Sequence, residues 1–351
     1  MAKHQAPERH AVRDRAAVRT TALAMIGLTL FVIAMIASYS GAFAKPTLHH
    51  MAVAVAGPQQ VVDGIRGQES LAVTEVGDDA AARQQVYERK TDAAFVVAPT
   101  GDMKIYVAGG GGRSVANAAE TVGRSIAAKT GLKPSVEDVA PASAGDPSGT
   151  VEFYAIIFIS IGASVGATVL GRLMGAVRRP LTLALRTATL AGFAAVLAGA
   201  VTVYVDMILG ALTAHTWHLF GALWLYAMAV AGAITGVAAA FGSVASMALT
   251  AFLVVIGNAA AAGPVGRPLL SGFYSTFTTI VPQGSGVSLL RSVEYFGGNG
   301  AQTPLVTLAI WGAAGCLLAI IATASRVNYR AVYERFAGRT LLRPRVLSPA
   351  D

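Results

Sequence analysis

Two hydrophobic stretches restrict the environment in which this chain can fold. The first covers residues 21–44 and contains no charged residue, and the second runs from Phe153 to Ser325 with loops between its parts. The whole sequence is 54% hydrophobic and 13% charged, whereas soluble domains carry roughly a quarter charged residues. About 20 consecutive apolar residues are enough to cross the hydrocarbon core of a bilayer. The sequence therefore predicts an α-helical integral membrane protein.

The hydrophobic stretches divide into six predicted transmembrane helices in a 1 + 5 arrangement. Residues 21–44 form the first, which we favour as an uncleaved helix because it is longer than a signal-peptide core. The alternative, a signal peptide ending at Ala42-Phe43-Ala44, stays open. The later five helices belong to a domain at 151–325. They are predicted at residues 152–175, 183–205, 217–241, 242–262 and 304–325.

The placement of basic residues orients the predicted helices. Residues 1–20 contain five Lys or Arg, residues 326–351 contain six Arg, and the loop after the second span carries Arg172, Arg178 and Arg179. Cytoplasmic segments of membrane proteins are enriched in Lys and Arg. Six spans place all three basic segments on one side, so we expect a multi-pass protein of the cell membrane with both termini cytoplasmic. The net charge of +8 then reflects topology and contact with anionic lipid, not binding of nucleic acid.

Residues 45–150, between the first two spans, are expected to form a small α/β domain outside the cytoplasm. Residues 78–90 and 113–130 read as helices, the first started by Asp78 or Asp79 and the second stopped by Gly131. Short runs of apolar and β-branched residues predict the strands. These runs are 51–56, 71–76, 93–98, 103–108 and 135–139.

Residues 263–303 are too polar to cross a membrane and too long for a turn, and they predict an outer helical hairpin, either re-entrant or interfacial. The helical spacing of its first half is carried by Leu269, Phe273, Phe277 and Ile280. That helix should end before Pro282, and a second should cover residues 287–296. There Arg291 and Glu294 have the i, i+3 spacing of an ion pair. Aromatic residues at 217, 224 and 226 are expected to form an interfacial belt.

Few residues carry chemistry that would suit an enzyme or a cofactor. The single cysteine, Cys316, excludes an intramolecular disulfide, and no phosphate-binding GxxxxGK[ST] loop occurs. The last five predicted spans contain no histidine, except at their edge, that could activate Ser285. His215 and His218 are interpreted as interfacial residues and not as a metal pair. We therefore expect no enzyme, metal or cofactor site. Asp206, Arg267, Arg291 and Glu294 are the only charged residues between positions 190 and 326.

Glycine patterns leave two further interpretations open. Gly162-x₃-Gly166, Gly171-x₃-Gly175 and Gly232-x₃-Gly236 allow close approach of helices, either within the chain or across a dimer. Residues 109–112 are all glycine and precede a helix, which suits an anion site or a flexible turn.

The layout resembles the ABC-2 type permeases, and more narrowly the YhgE/Pip-like (phage infection protein) membrane proteins. The resembling text is MAVAVAGP from residue 51, DAAFVVAPTG from 92, VEDVAP from 136 and VPQGSGVSLLRSVEYFGGNG from 281. The resemblance covers residues 20–325. It implies a homodimeric permease subunit that exports a hydrophobic or envelope-related cargo with a separate ATPase.

Under this resemblance two groups of residues receive roles. The basic loop with Arg172, Arg178 and Arg179 would contact the ATPase. The hairpin would form an outer gate with Phe273, Phe277, Pro282, Arg291 and Glu294. The alternative is a surface protein without transport activity, whose external domain binds an envelope component, a phage or another protein.

Overall fold

A computed structural model describes the backbone of residues 6–175 and 180–326 and the side chains of residues 17–175 and 181–325. The elements in chain order are α1 (Ala6–Phe43), β1 (Met51–Ala56), α2 (Gln59–Arg66), β2 (Leu71–Glu75), α3 (Asp79–Tyr87), β3 (Ala93–Val97), β4 (Asp102–Val107), α4 (Arg113–Thr130), β5 (Lys133–Asp138), α5 (Val151–Met174), α6 (Pro180–Thr202), α7 (Thr216–Phe241), α8 (Ser243–Phe252), α9 (Gly272–Ile280), α10 (Pro282–Tyr295) and α11 (Gln302–Arg326). Turns of 3-10 helix occur at Gly109–Gly111 and Arg267–Leu269, and turns of π-helix at Val203–Ile208 and Leu253–Gly257.

Five helices among the described residues are long and apolar enough to cross a membrane, which is compatible with a multi-pass membrane protein. They are α1, α5, α6 with its π-helical extension, α7 and α11. The predicted count of six is not confirmed, because the fifth predicted span, residues 242–262, forms a shorter apolar helix over Ser243–Gly257. At 1.5 Å per residue this helix is ~22 Å long, less than the hydrocarbon core of about 30 Å.

The segment between α1 and α5 contains a five-stranded sheet in the order β2-β1-β3-β4-β5. The β3–β4 pair is antiparallel and the other pairs are parallel. Helices α2 and α4 cover one face with Val62, Ile65 and Ala119 among the buried side chains. Helix α3 covers the other face through Ala82 and Val86. The predicted strands are confirmed within two residues, and the apolar runs of β1 and β3 are buried between these helices.

Local signals also set the helix ends of this segment as predicted. Asp78 lies before α3, and its Oδ1 accepts a hydrogen bond from Ala81 N at 2.7 Å, which caps the first turn. Gly131 ends α4 in the left-handed conformation at φ 70°, which glycine adopts without steric cost. Helix α2 was not predicted.

Helix α7 lies at the centre of the helical bundle and packs against α5, α6, α10 and α11. Its contact with α11 is made by backbone, because a side chain at Gly236 would overlap the backbone of Gly315. A Cβ atom at Gly162 would likewise stand 3.0 Å from Leu197 of α6. Of the two interpretations left open for the glycine pairs, close packing within the chain is the one observed at these positions. Tyr226 of α7 is fully buried, so it does not belong to an interfacial belt.

The predicted hairpin contains two helices, and the second is largely buried. Helix α9 ends at Ile280 before Pro282, as predicted, whereas α10 begins at Pro282 and not at residue 287. Proline is favoured at this first helical position because its missing N–H has no partner there in any case. Ten residues of α10 between Pro282 and Ser292 are buried, and the helix packs against α5, α7, α9 and α11.

Gln283 enters this interior with its amide nitrogen paired, while its Oε1 has no partner among the described residues. Gln283 Nε2 donates to Ser160 Oγ at 3.1 Å and to the Leu253 carbonyl at 2.9 Å. Leu253 opens the π-helical turn after α8, and its carbonyl accepts the backbone N–H of Asn258 as well as the Gln283 amide. Gly257, in the same turn, leaves the space that the Gln283 amide occupies. The partners of Gln283 come from other helices, so the sequence of the hairpin alone does not indicate them.

Candidate functional site

A half-open cleft of about 390 Å³ separates the α/β segment from the bundle. Its walls come from the α3–β3 connection, the start of α4, the loop before α9, the end of α9, one side of α10 and the start of α11. The volume falls within the ~300–1,000 Å³ of ordinary small-molecule sites. The arginines Arg89, Arg267 and Arg291 line it, together with Asp92. Residues far apart in sequence thus form one basic cavity.

Arg89 joins the two sides of the cleft. Its Nη1 donates to the Ser288 carbonyl at 2.7 Å and to Ser292 Oγ at 2.5 Å, both on α10. Its guanidinium also lies over the Phe296 ring, 5.0 Å from the centroid. Burial lowers the pKa of Arg89 to about 10, and the nearby charge of Arg291 acts in the same direction. Arg89 therefore remains a cation at neutral pH.

Arg291 is a buried cation held by carbonyl groups. It donates to Ala262 O at 3.2 Å, to Gly263 O at 3.0 Å and to Gly149 O at 3.2 Å. Its Nε has no hydrogen-bond partner among the described residues. The predicted pairing with Glu294 is wrong, because Glu294 Oε1 instead accepts the backbone N–H groups of the α6–α7 loop.

Arg267 and Asp92 complete the charged groups of the cleft. The Arg267 side chain is exposed, at the 3-10 turn before α9. Burial raises the pKa of Asp92, against the hydrogen bond from Ala52 N and the positive charges of Arg89 and Arg267. None of the three arginines forms an ion pair with a carboxylate within 4 Å among the residues described. The cleft therefore keeps a surplus of positive charge.

Neutral donor groups also line the same space. Thr91 is buried, lines the cleft and has a hydroxyl without a partner in the described part of the chain. Gly284 and Ser285, in the first turn of α10, also line it, and no side chain caps that turn. The first N–H groups of a helix have no partner within the helix and carry a partial positive charge. These groups add to the affinity of the cleft for negative charge.

The four glycines at 109–112 form a contact surface. Gly109 N donates to Asp138 Oδ1 at 3.0 Å, so the loop already holds a carboxylate of its own chain. A side chain at Gly110 would overlap the ring of Tyr295, and one at Gly111 would stand 3.3 Å from Phe296. The loop is therefore neither a free turn nor a vacant anion site. It lets the backbone of the domain approach α10 closely.

The residues predicted for an outer gate lie in different surroundings. Phe273 and Phe277 pack together on α9 with ring centroids 4.9 Å apart, and Phe273 is exposed. Pro282 is buried at the start of α10, and only Arg291 among the predicted gate residues lines the cleft. Arg89, Asp92 and Thr91 were missed, since no sequence pattern connects them to α10. One sequence signal could have indicated the cleft: Arg267 and Arg291 are two of only four charged residues between positions 190 and 326.

The basic loop predicted to contact an ATPase is described only in part. Arg172 belongs to the last turn of α5, while Arg178 and Arg179 lie outside the described residues. His215 and His218 stand edge to face with ring centroids 5.5 Å apart. Within the described ranges, no group of three or more His, Cys, Asp or Glu residues is placed to hold a metal ion.

Comparisons with protein-family models, with curated proteins and with solved structures found no match to this chain. The geometry of the cleft and the order of the helices are therefore the basis for a functional proposal.

Proposed function

We propose that this protein is an ABC-2-like permease subunit of the cell membrane, similar to the YhgE/Pip-like proteins. It works as a homodimer with a separate ATPase and exports a hydrophobic or envelope-related cargo. The position of α10 carries the proposal. This helix is buried against α5, α7 and α11, and its C-terminal end contacts the 3-10 turn of the α/β domain. Such a link would couple the outer domain to the membrane bundle during transport.

The shared core of the domain favours this function over a passive anchor. Leu269, from the loop before α9, is buried in the core of the sheet with α2 and α4, and Val265 packs against the same core. Thr47 N and His49 N donate to the carbonyls of Leu269 and Pro268. An anchored binding domain would need only a tether to the bundle. The alternative function, binding of an external partner without transport, has no such observation in its favour.

Orientation is the first part of the proposal to test. In a Cys316→Ala background, a cysteine at the exposed Glu69 should react with a membrane-impermeant maleimide in intact cells. A cysteine at Ser348 should react only after the membrane is opened. The reverse pattern would contradict the proposed placement of the domain outside the cytoplasm.

The ATPase partner requires purification from the native membrane. Tagged protein extracted in mild detergent should carry an ATPase subunit, and Arg172→Glu should reduce its recovery. Arg124→Glu on α4, far along the chain in the α/β domain, is the matched control and should leave recovery unchanged. Purification without any ATPase, together with unchanged export of envelope lipid after deletion of the chain, would refute the proposed function.

A further inference from the structure

We propose that the cleft between the α/β domain and α10 binds the phosphate group of an anionic amphiphile. This inference rests on the proposed function, because it names the class of molecule that the permease-like body handles. A phosphate offers several acceptor oxygens and at least one negative charge, and arginine forks match that geometry. Arg89, Arg267 and Arg291 supply the cations.

The charge balance of the cleft suits a phosphate. Three arginines face one carboxylate, Asp92, and Asp92 Oδ2 already accepts a hydrogen bond from Ala52 N at 3.0 Å. Arg291 has only carbonyl partners, and Arg89 has a carbonyl and a hydroxyl. Carbonyls satisfy hydrogen bonds but do not neutralise a cation. The site therefore retains a net positive charge that a phosphate would compensate.

Unpartnered buried donors indicate a ligand independently of net charge. The Thr91 hydroxyl and Arg291 Nε are both buried and lack a partner among the described residues. Each such group costs free energy unless something bonds to it. The uncapped first turn of α10, with Gly284 and Ser285 lining the cleft, provides the kind of helix terminus that binds phosphate groups.

The surroundings of the cleft indicate that the phosphate belongs to a lipid-like molecule. Thr279 and Pro304 line the cleft, and the residues that follow them along α9 and α11 are exposed and apolar. These are Ile280 (52% exposed), Leu305 (41%) and Val306 (53%). Acyl chains of a bound amphiphile would lie against this surface, which begins where the polar lining ends. A free anion would gain nothing from it.

Binding can be measured on the full chain purified in a maltoside detergent, which contains no phosphate. The probes are phosphatidylglycerol, diacylglycerol with the same acyl chains, and inorganic phosphate, each titrated by calorimetry. We expect phosphatidylglycerol to bind more tightly than diacylglycerol. Arg267→Gln should weaken that binding roughly tenfold, the usual effect of one charge-assisted hydrogen bond. Arg267 is exposed, so this variant should fold normally.

Two further variants show whether the effect is local. Thr91→Val keeps the shape of the side chain and removes the unpartnered hydroxyl, so it should weaken phosphatidylglycerol binding without lowering thermal stability. Arg124→Gln removes an exposed arginine that pairs with Glu120 on α4 and should leave binding unchanged. Unchanged affinity in both cleft variants, or equal binding of diacylglycerol and phosphatidylglycerol, would overturn the inference.

The inorganic phosphate titration identifies the source of the phosphate group. Weaker binding of inorganic phosphate than of phosphatidylglycerol supports a lipid. Equal binding of the two supports the phosphate site with a free anion as its ligand. The assay contains neither ATPase nor transport, so its failure removes the ligand assignment alone. Absence of an ATPase partner would remove the proposed function and leave the binding result intact.

Discussion

Arg291 and Glu294 stand one turn apart on α10 and do not bond to each other. Arg291 donates to three carbonyls before α5 and α9, whereas Glu294 Oε1 accepts Thr213 N at 2.8 Å and Ala214 N at 3.0 Å. The two charges therefore fasten different loops to the same helix. An i, i+3 pair on an isolated helix would have contributed only a few tenths of a kcal/mol.

Replacement of Arg291 should show how strongly its carbonyl partners depend on it. Arg291→Met leaves three acceptors unpaired, which should lower the free energy of unfolding by roughly 2–5 kcal/mol. Arg291→Lys should cost at least as much, because an ammonium buries the same charge without the planar fork. Thermal unfolding in detergent measures both, with Arg124→Lys at an exposed site as control. Native stability in Arg291→Lys would contradict the tethering role.

A disulfide should form between α4 and the loop before α9. The ideal Cβ position at Gly266 lies 3.6 Å from Val115 Cβ, within the usual disulfide range of about 3.5–4.5 Å. We expect Val115→Cys combined with Gly266→Cys, in a Cys316→Ala background, to oxidise spontaneously. A maleimide-polymer gel shift that appears only after reduction would demonstrate the bond.

The same disulfide tests whether the domain moves during transport. Under the proposed function, the oxidised double variant should lose export and regain it on reduction, while both single variants remain insensitive to reductant. Full export by the oxidised protein would show that the domain need not separate from the loop at residue 266.

The glycine contact between α7 and α11 should tolerate substitution at one position and not at another. Gly236→Ala places a methyl group against the Gly315 backbone, which cannot rotate aside, and should cost roughly 1–3 kcal/mol of unfolding free energy. Gly232→Ala is the control, one turn earlier, where the added Cβ would stand 3.8 Å from Gly312 O. Since alanine favours helix, the control should match or exceed the native melting temperature. Equal loss in both variants would contradict this packing.

Acid should weaken the contact between α3 and β4. Hydrogen bonds from Lys104 Nζ at 2.8 Å and from Tyr106 Oη at 2.7 Å hold the pKa of Asp79 below its ordinary value, despite some desolvation. A carboxylate with a lowered pKa stabilises the fold above its unfolded pKa, about 3.9 for Asp. That contribution is lost as pH falls through the lowered value.

The acid effect can be isolated by a double-mutant cycle. Melting temperatures of native protein, Asp79→Asn, Lys104→Met and the double variant are compared at pH 7 and pH 3. We expect a small coupling at pH 7, since both side chains are about half exposed, and a smaller one at pH 3. A coupling that does not fall with pH would refute the assignment to Asp79.

The sheet and two of its three helices, α3 and α4, were predictable because their signals are local. Alternating or continuous β-branched runs, the cap at Asp78 and the stop at Gly131 are each written within a few consecutive residues. In β1 and β3 both faces of the strand are then buried, which favours apolar residues along the whole run. The long apolar helices were predictable for a similar reason, since composition over about 20 residues decides whether a helix suits a bilayer.

Helix α10 and the cleft were not predictable from such windows. Gln283 is accommodated by Ser160 and Leu253, which lie 123 and 30 residues away along the chain. Arg89 donates a hydrogen bond to Ser292, which lies 203 residues away along the chain. Whether a polar side chain lies in water or in a protein interior depends on these distant partners, and nothing in residues 282–296 by themselves reveals them.

The π-helical turn at Leu253–Gly257 has a consequence for how insertions and deletions would act on this chain. Such a turn is equivalent to a helix that has gained one residue. Deletion of a single residue there would restore regular spacing and rotate Gly257 away from Gln283, so that a residue with a side chain would meet the buried amide. Whether the fold can keep the Gln283 amide buried in α10 thus depends on the number of residues in another helix. The in-frame loss of one codon near residue 254 would therefore destabilise the fold more than most substitutions at the same place.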